Sequence, residues 1–237
     1  VFTLLAAASA APLLSIPTAA GPLELTSLYH GTMRFQLGAA VLWVDPWSKA
    51  PAAPGPADLV LITDVHFDHL DPAALSAVRG PTTTVVVPNA VAAELGAAQV
   101  VKVLANGESA TVGPFTVKAV PMYNVVRGPE PGKRFHDRGR GNGYLITVGG
   151  ATVYVAGDTE CTPEMKALTG VTHAFVPMNL PYTMPPEEAA ACVKAFAPSH
   201  VTPVHYGESD LAVFAKGLEG TAIKVDRLDA YPGGMPW

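Results

Sequence analysis

Cysteine is scarce in this chain. Cys161 and Cys192 are the two in 237 residues, too few to staple a fold of this size. Neither belongs to a CxxC pair that would suggest zinc or redox chemistry, and Cys161 reads as a small buried side chain. Charge is thin as well: 15% of residues are Asp, Glu, Lys or Arg, and 15 basic against 20 acidic side chains leave a net charge of -5. That balance argues against a nucleic-acid binder working through overall charge. Low-complexity tracts, heptads and repeats are missing. So are the GxSxG elbow of serine hydrolases and the HExxH helix of metalloproteases, and Gly132-Lys133 lacks the spacing of a phosphate-binding loop. The first 23 residues carry no charge, but Pro12 and Pro17 interrupt them well short of the ~20 apolar residues that cross a bilayer. This stretch is similar to the apolar part of a secretory signal, with Ala8-Ser9-Ala10 as a small-residue cleavage site, though the basic start is missing. Residues 1–22 are therefore expected to form a signal-like or apolar leader, and 23–237 a single domain. The protein is expected to be exported if that segment is a signal, and cytoplasmic otherwise.

What the chain has is apolar residues, 49% of the total, and a chain this long buries roughly 70–75% of its unfolded surface. From Leu25 onward they fall into short β runs: LELTSLYH, MRFQL, AVLWVD, DLVLIT, TVVVP, QVVKVL and FTVKAVP. YLITV and ATVYVAG follow, joined by the hairpin signal Gly149-Gly150. Asp71-Pro72 is a cap and first turn for a helix over 73–78. Later strands at 173–177, 201–205 and 222–228 alternate with helices near 162–169, after Pro185-Pro186, and at 208–217. In the helix after Pro186, Ala189, Cys192, Val193 and Phe196 fall on one stripe. The pattern implies an α/β domain whose sheets are covered by helices, with 49–58 as a surface loop.

Chemistry concentrates at Thr63-Asp64-Val65-His66-Phe67-Asp68-His69, where DLVLIT ends and a helix is about to begin. Two imidazoles and two carboxylates crowded at a strand end suit one or two divalent cations better than a core. The alternative is helix capping by Asp68 or Asp71 with solvated histidines. Asp158 after a strand, His205 at the end of another, and Asn124 after FTVKAVPMY are further candidates. Residues 127–140 hold Arg127, Lys133, Arg134, Arg138 and Arg140 against Glu130 and Asp137. Such a surplus beside a metal pocket would select an anionic small molecule, whereas a solvated loop is the plainer reading.

HxDH at 66–69, GDT at 157–159 and HYG at 205–207, in that order, resemble the metallo-β-lactamase fold superfamily of metal-dependent hydrolases. ITDVHFDHLDP, VPMYN, FHDRGRGNGY, YVAGDTE, AFVPMNLPYTM and PVHYG are similar to its branch around ascorbate-6-phosphate lactonase. The resemblance implies a four-layer αββα sandwich with two metal sites in one pocket. Asp68, His69 and His205 would form the second site and Asp158 would bridge both. Of the first site's three histidines this chain keeps His66, with Asp64 and Asn124 standing where relatives carry the others. Oxygen donors there favour manganese, magnesium or iron over zinc, or a single ion. The cofactor implied is thus one or two divalent ions, zinc, manganese or iron. His136 would serve as a replacement ligand or a proton donor, while Asp68 or Asp158 would orient an activated water. Arg134, Arg138, Asn179 and Tyr182 are the candidate substrate contacts, and His30, His173 and His200 are left as structural. The implied function is hydrolysis of an ester, lactone or phosphodiester in a small, anionic substrate, without nucleic-acid or membrane partners and with oligomerisation open. The alternative is a metal-stabilised binding or sensor protein of the same fold.

Overall fold

A computed structural model describes residues 12–51, 55–96 and 102–235. Its first half runs β1 (Leu14–Ile16), β2 (Leu23–Tyr29), β3 (Thr32–Leu37), β4 (Ala40–Val44), β5 (Ala57–Leu61), α1 (Pro72–Val78), β6 (Arg79–Val87), α2 (Asn89–Leu95) and β7 (Lys102–Val103). The second half runs β8 (Ser109–Val112), β9 (Phe115–Met122), β10 (Gly141–Val148), β11 (Ala151–Val155), α3 (Pro163–Lys166), β12 (His173–Pro177), α4 (Pro186–Phe196), β13 (His200–Val204), α5 (Leu211–Gly217) and β14 (Lys224–Val225). Each half makes one seven-stranded sheet. In the first, β1 to β4 pair antiparallel and β4 to β7 parallel; in the second, β8 to β11 pair antiparallel and β11 to β14 parallel.

Period-two alternation sorts the apolar residues between layers. Leu59 and Leu61 of β5 and Val153 and Val155 of β11 face the core between the sheets, together with Phe35, Phe115 and Phe175. Their neighbours Val60 and Tyr154 point outward, under α1 and α2 on one side and α3, α4 and α5 on the other. Layer by layer this is the expected αββα sandwich. The Asp71 carboxylate caps α1 by accepting from the amides of Ala73 and Ala74, and the Gly149-Gly150 hairpin closes as read. The capping alternative for the acidic cluster therefore belongs to Asp71, not Asp68.

Several elements differ from expectation. Leu14–Ile16, inside the expected leader, is an edge strand on β2, while residues 1–11 lie outside the described residues. Strand β10 starts at Gly141, three residues before the apolar run, because its polar first turn is clasped to the other sheet. The Asn142 amide donates to the Thr63 carbonyl at 2.9 Å and the Tyr144 hydroxyl to the Ile62 carbonyl at 2.7 Å. Cys161, expected as a small buried side chain, is half-buried and forms a disulfide with Cys192, tying the loop after β11 to α4. The two are 31 residues apart and meet because α4 packs over that loop. The described residues contain no helix long and apolar enough to cross a membrane.

Candidate metal centre

The C-terminal ends of β4, β5, β11 and β13 converge on one rim of the sandwich, placing Asp45, Asp64 to His69, Asp158 and His205 together with His30 from the β2–β3 turn. Three of these, His30, Asp45 and His205, have positive φ of 56°, 43° and 46°. Left-handed backbone at residues other than glycine is costly, and here it gathers at one site. Gly157 supplies the turn before Asp158: φ is +63° and a Cβ would come within 2.5 Å of Met122 Sδ, so a side chain is excluded.

Around Asp158 the polar atoms stand at ligand spacing. His205 Nε2 is 3.4 Å from Asp158 Oδ1, His69 Nε2 is 3.4 Å from Oδ2, and His136 Nε2 is 3.3 Å from Oδ2. Asp68 Oδ2 lies 3.2 Å from His205 Nε2 and 3.8 Å from His69 Nε2. Two ligands each about 2.0–2.2 Å from one ion stand roughly 3.0–3.6 Å apart, which these separations match apart from the longer Asp68–His69 one. His69 Nε2, His136 Nε2 and Asp158 Oδ1 are buried without a hydrogen-bond partner, a costly arrangement that a cation would relieve.

Hydrogen bonds assign the tautomers. His69 Nδ1 donates to Asp45 Oδ2 at 2.8 Å, and the same carboxylate accepts from the Thr63 amide at 2.7 Å. His136 Nδ1 donates to Asn124 Oδ1 at 2.6 Å. In its neutral form each ring would therefore turn an Nε2 lone pair toward Asp158, as metal-binding histidines do. Burial alone would depress His69, but the charges of Asp158, Asp68 and Asp45 outweigh it and raise its pKa well above the usual range. Burial would raise the Asp158 and Asp68 carboxyls, yet the surrounding histidines hold both well below their ordinary values. His30 behaves differently: burial and the neighbouring His205 push it down to about 4 despite Asp68. The Tyr231 hydroxyl accepts from the Gly207 amide and lies 2.8 Å from His30 Nδ1, leaving His30 Nε2–H to donate to Asp68 Oδ2 at 3.2 Å. His30 thus orients a carboxylate, in keeping with its reading as a structural residue.

Asn124 needs correction. Its Oδ1 accepts from the amide and Nδ1 of His136, and its Nδ2 donates to Glu160 and to the Tyr182 carbonyl, so no lone pair is left for an ion. It positions His136, whose Nε2 lies 3.3 Å from Asp158 Oδ2. Asp64 and His66 do meet, His66 Nδ1 lying 3.0 Å from Asp64 Oδ2, but both Asp64 oxygens also accept from Arg140.

Above the cluster opens a cavity of about 820 Å³. Asp68, Asp158, His136 and His205 line it, and Phe67, Phe135 and Tyr182 form its apolar wall, with Asn179 alongside. Asn179 and Tyr182 are thus where the sequence reading put them, whereas Arg134 and Arg138 are not brought to the cavity. Arg138 pairs with Glu164 at 2.5 Å and lies over the Tyr123 ring, and Arg134 Nε donates to the Val125 carbonyl at 2.9 Å. Arg127 pairs with Glu188 and Lys133 with Glu130 of the same loop, so acids from α3, α4 and the loop itself neutralise much of the basic stretch. Sequence reading missed Glu160, whose carboxylate accepts the amides of Val125, Val126 and Arg127 and pins that loop. It also gave Asp45 no role; Asp45-Pro46 at a strand end was its available signal.

The sequence profile of the family described as a beta-lactamase superfamily domain matches residues 24–205. The chain belongs to the metallo-β-lactamase superfamily. A superfamily protein from Parabacteroides distasonis, described as a metal-dependent hydrolase, is 35% identical over 92% of this chain and 98% of its own, with a TM-score of 0.85. A UPF0173 metal-dependent hydrolase from Symbiobacterium thermophilum is 30% identical over 218 residues, 86% of this chain and 92% of that protein. The metallo hydrolase Igni18 from Ignicoccus hospitalis, 24% identical over 89% of this chain and 96% of its own, shares the superfamily fold with a TM-score of 0.71.

Proposed function

We propose that this chain, a metal-dependent hydrolase by family, cleaves an ester, lactone or phosphodiester of a small molecule in the cavity above Asp158. One observation carries the reading: the buried Nε2 atoms of His69 and His136, whose Nδ1 atoms are engaged by Asp45 and Asn124, stand without a hydrogen-bond partner around Asp158 at the floor of an open cavity. The fitting residues are His69, His205 and Asp158, with Asp68 and His136 beside them. A divalent ion held there would acidify water from 15.7 towards ~7 and polarise a carbonyl or phosphoryl oxygen.

The chain's own residues supply the rest. Asp68, anchored through Oδ2 by His30, faces the cavity and is suited to orient a water. His136, with Nδ1 engaged by Asn124 and Nε2 3.3 Å from Asp158 Oδ2, is suited to support the ion beside His69, His205 and Asp158. Phe67, Phe135 and Tyr182 fit an apolar body, and the cavity lining includes no Lys or Arg, which favours a substrate without strong anionic charge over the anionic one expected from the basic loop.

Metal analysis of the purified protein, followed by a screen of neutral lactones and esters against phosphodiesters with the metal found, tests this. Turnover abolished by His69→Ala and by Asp158→Asn supports the reading. A firmly bound ion with no turnover of any class favours a binding or sensor protein instead. We also propose that the protein is exported, because the disulfide suits an oxidising compartment as the apolar leader does. Finding it in the cytosol with both thiols free would overturn that.

A further inference from the structure

Three groups of ligand-type side chains meet in this pocket: His69, Asp158 and His205; Asp64, His66 and His136 as a second; and His30, Asp68 and His205, which shares His205 with the first and in which His30 Nε2 is already engaged by Asp68. They are not equivalent. In the second group a cation is already present. Arg140 Nε and Nη2 donate to the two oxygens of Asp64 at 3.0 and 2.7 Å, a bidentate fork, and Nη2 also lies 3.4 Å from His66 Nε2. His66 Nδ1 takes a further position on Asp64 Oδ2 at 3.0 Å. The carboxylate is fully buried, and its acceptor capacity is directed at these two neighbours.

Arg140 is held in place by the fold. It directly precedes β10, where the Asn142 amide donates to the Thr63 carbonyl. Gly141 comes so close that a Cβ would stand 2.8 Å from the same oxygen. The backbone bearing the guanidinium is thereby clamped against the segment bearing Asp64. An ion entering this group would have to displace a tethered guanidinium or sit against it, like charge on like charge.

We infer that the pocket takes one divalent ion, at His69, Asp158 and His205, and that Arg140 is the second positive centre, occupying with Asp64 and His66 the place of a second ion. This rests on the metal-dependent reading above and makes it mononuclear.

The protein stripped with a chelator, reloaded with excess Mn²⁺ or Zn²⁺ and desalted should retain one equivalent by elemental analysis. Anomalous diffraction should place that ion on His69, Asp158 and His205. The double variant Asp64→His with Arg140→Leu, which frees the second group and restores an imidazole, should rise from one equivalent to two. Two equivalents in the wild type, or anomalous density on Asp64 and His66, overturns the inference whether or not the variant folds. A folded double variant that stays at one also overturns it. One ion without hydrolysis defeats the hydrolase reading and leaves this inference standing; two ions with hydrolysis does the reverse; no bound ion sinks both.

Discussion

Asp45→Asn is a sharp test of the proposed metal centre, because it keeps the Oδ1 acceptor and changes what stands at Oδ2 beside His69. Asp45 Oδ1 accepts from the Thr63 amide at 2.7 Å, and Oδ2 accepts from the Thr63 hydroxyl at 2.5 Å and from His69 Nδ1 at 2.8 Å. Asparagine keeps the Oδ1 acceptor and tolerates the left-handed backbone at φ 43°. At the second position it places an NH₂ donor against the Nδ1–H donor of His69. The ring must then move its proton to Nε2, the atom facing Asp158, or tilt away. The charge that helps hold His69 basic is lost as well. Removing such an outer partner costs roughly 10–100-fold in metal affinity, about 1.4–2.8 kcal/mol. Competition with a fluorescent chelator on apo protein should show a dissociation constant raised by that factor, with an unchanged circular dichroism spectrum. Wild-type affinity in a folded Asp45→Asn variant would refute the assigned tautomer and the ligand role of His69 Nε2.

The remaining predictions concern stability. Replacing Cys161 and Cys192 by serine opens a crosslink across 31 residues, which loop-closure entropy values at about 3–4 kcal/mol. The melting temperature should fall by roughly 7–14 °C, and dithiothreitol should reproduce the fall in the wild type; no change under either treatment would show that the crosslink does not stabilise the fold. His173, buried against the second sheet, is pushed down to about 4 by burial, with Asp226 opposing and His200 adding. Below pH 6.5 the unfolded chain takes up a proton that the folded chain refuses, so this contribution is complete above 6.5 and is lost as the pH falls towards 4. It amounts to about 3 kcal/mol. Melting curves of His173→Gln should therefore lose less between pH 7 and 5 than the wild type; parallel curves would contradict this.

The layers of the fold were legible because each rests on short-range rules. The alternation in DLVLIT and ATVYVAG, the cap at Asp71-Pro72 and the stripe of Ala189, Cys192, Val193 and Phe196 all place side chains by backbone geometry over a few residues. The same rules put His66, Asp68, His69, Asp158 and His205 at strand ends, and similarity of motif order ties those ends to one rim. Roles that depend on a partner were not legible. Asn124 looked like a ligand until His136 and Glu160 filled its amide. Arg140 read as one of several loop cations, yet it lies 76 positions from Asp64 and reaches it through the clasp between β10 and the end of β5. The acids that neutralise Arg127 and Arg138 come from the segment behind Asp158 and from α4. The sequence by itself determined which residue types stand at the ends of which strands, since dihedral preference and hydrophobic period are local. Only the tertiary structure decided which lone pairs remain for an ion and which charges are already spent, because strand order and sheet packing choose the partners of each buried charge.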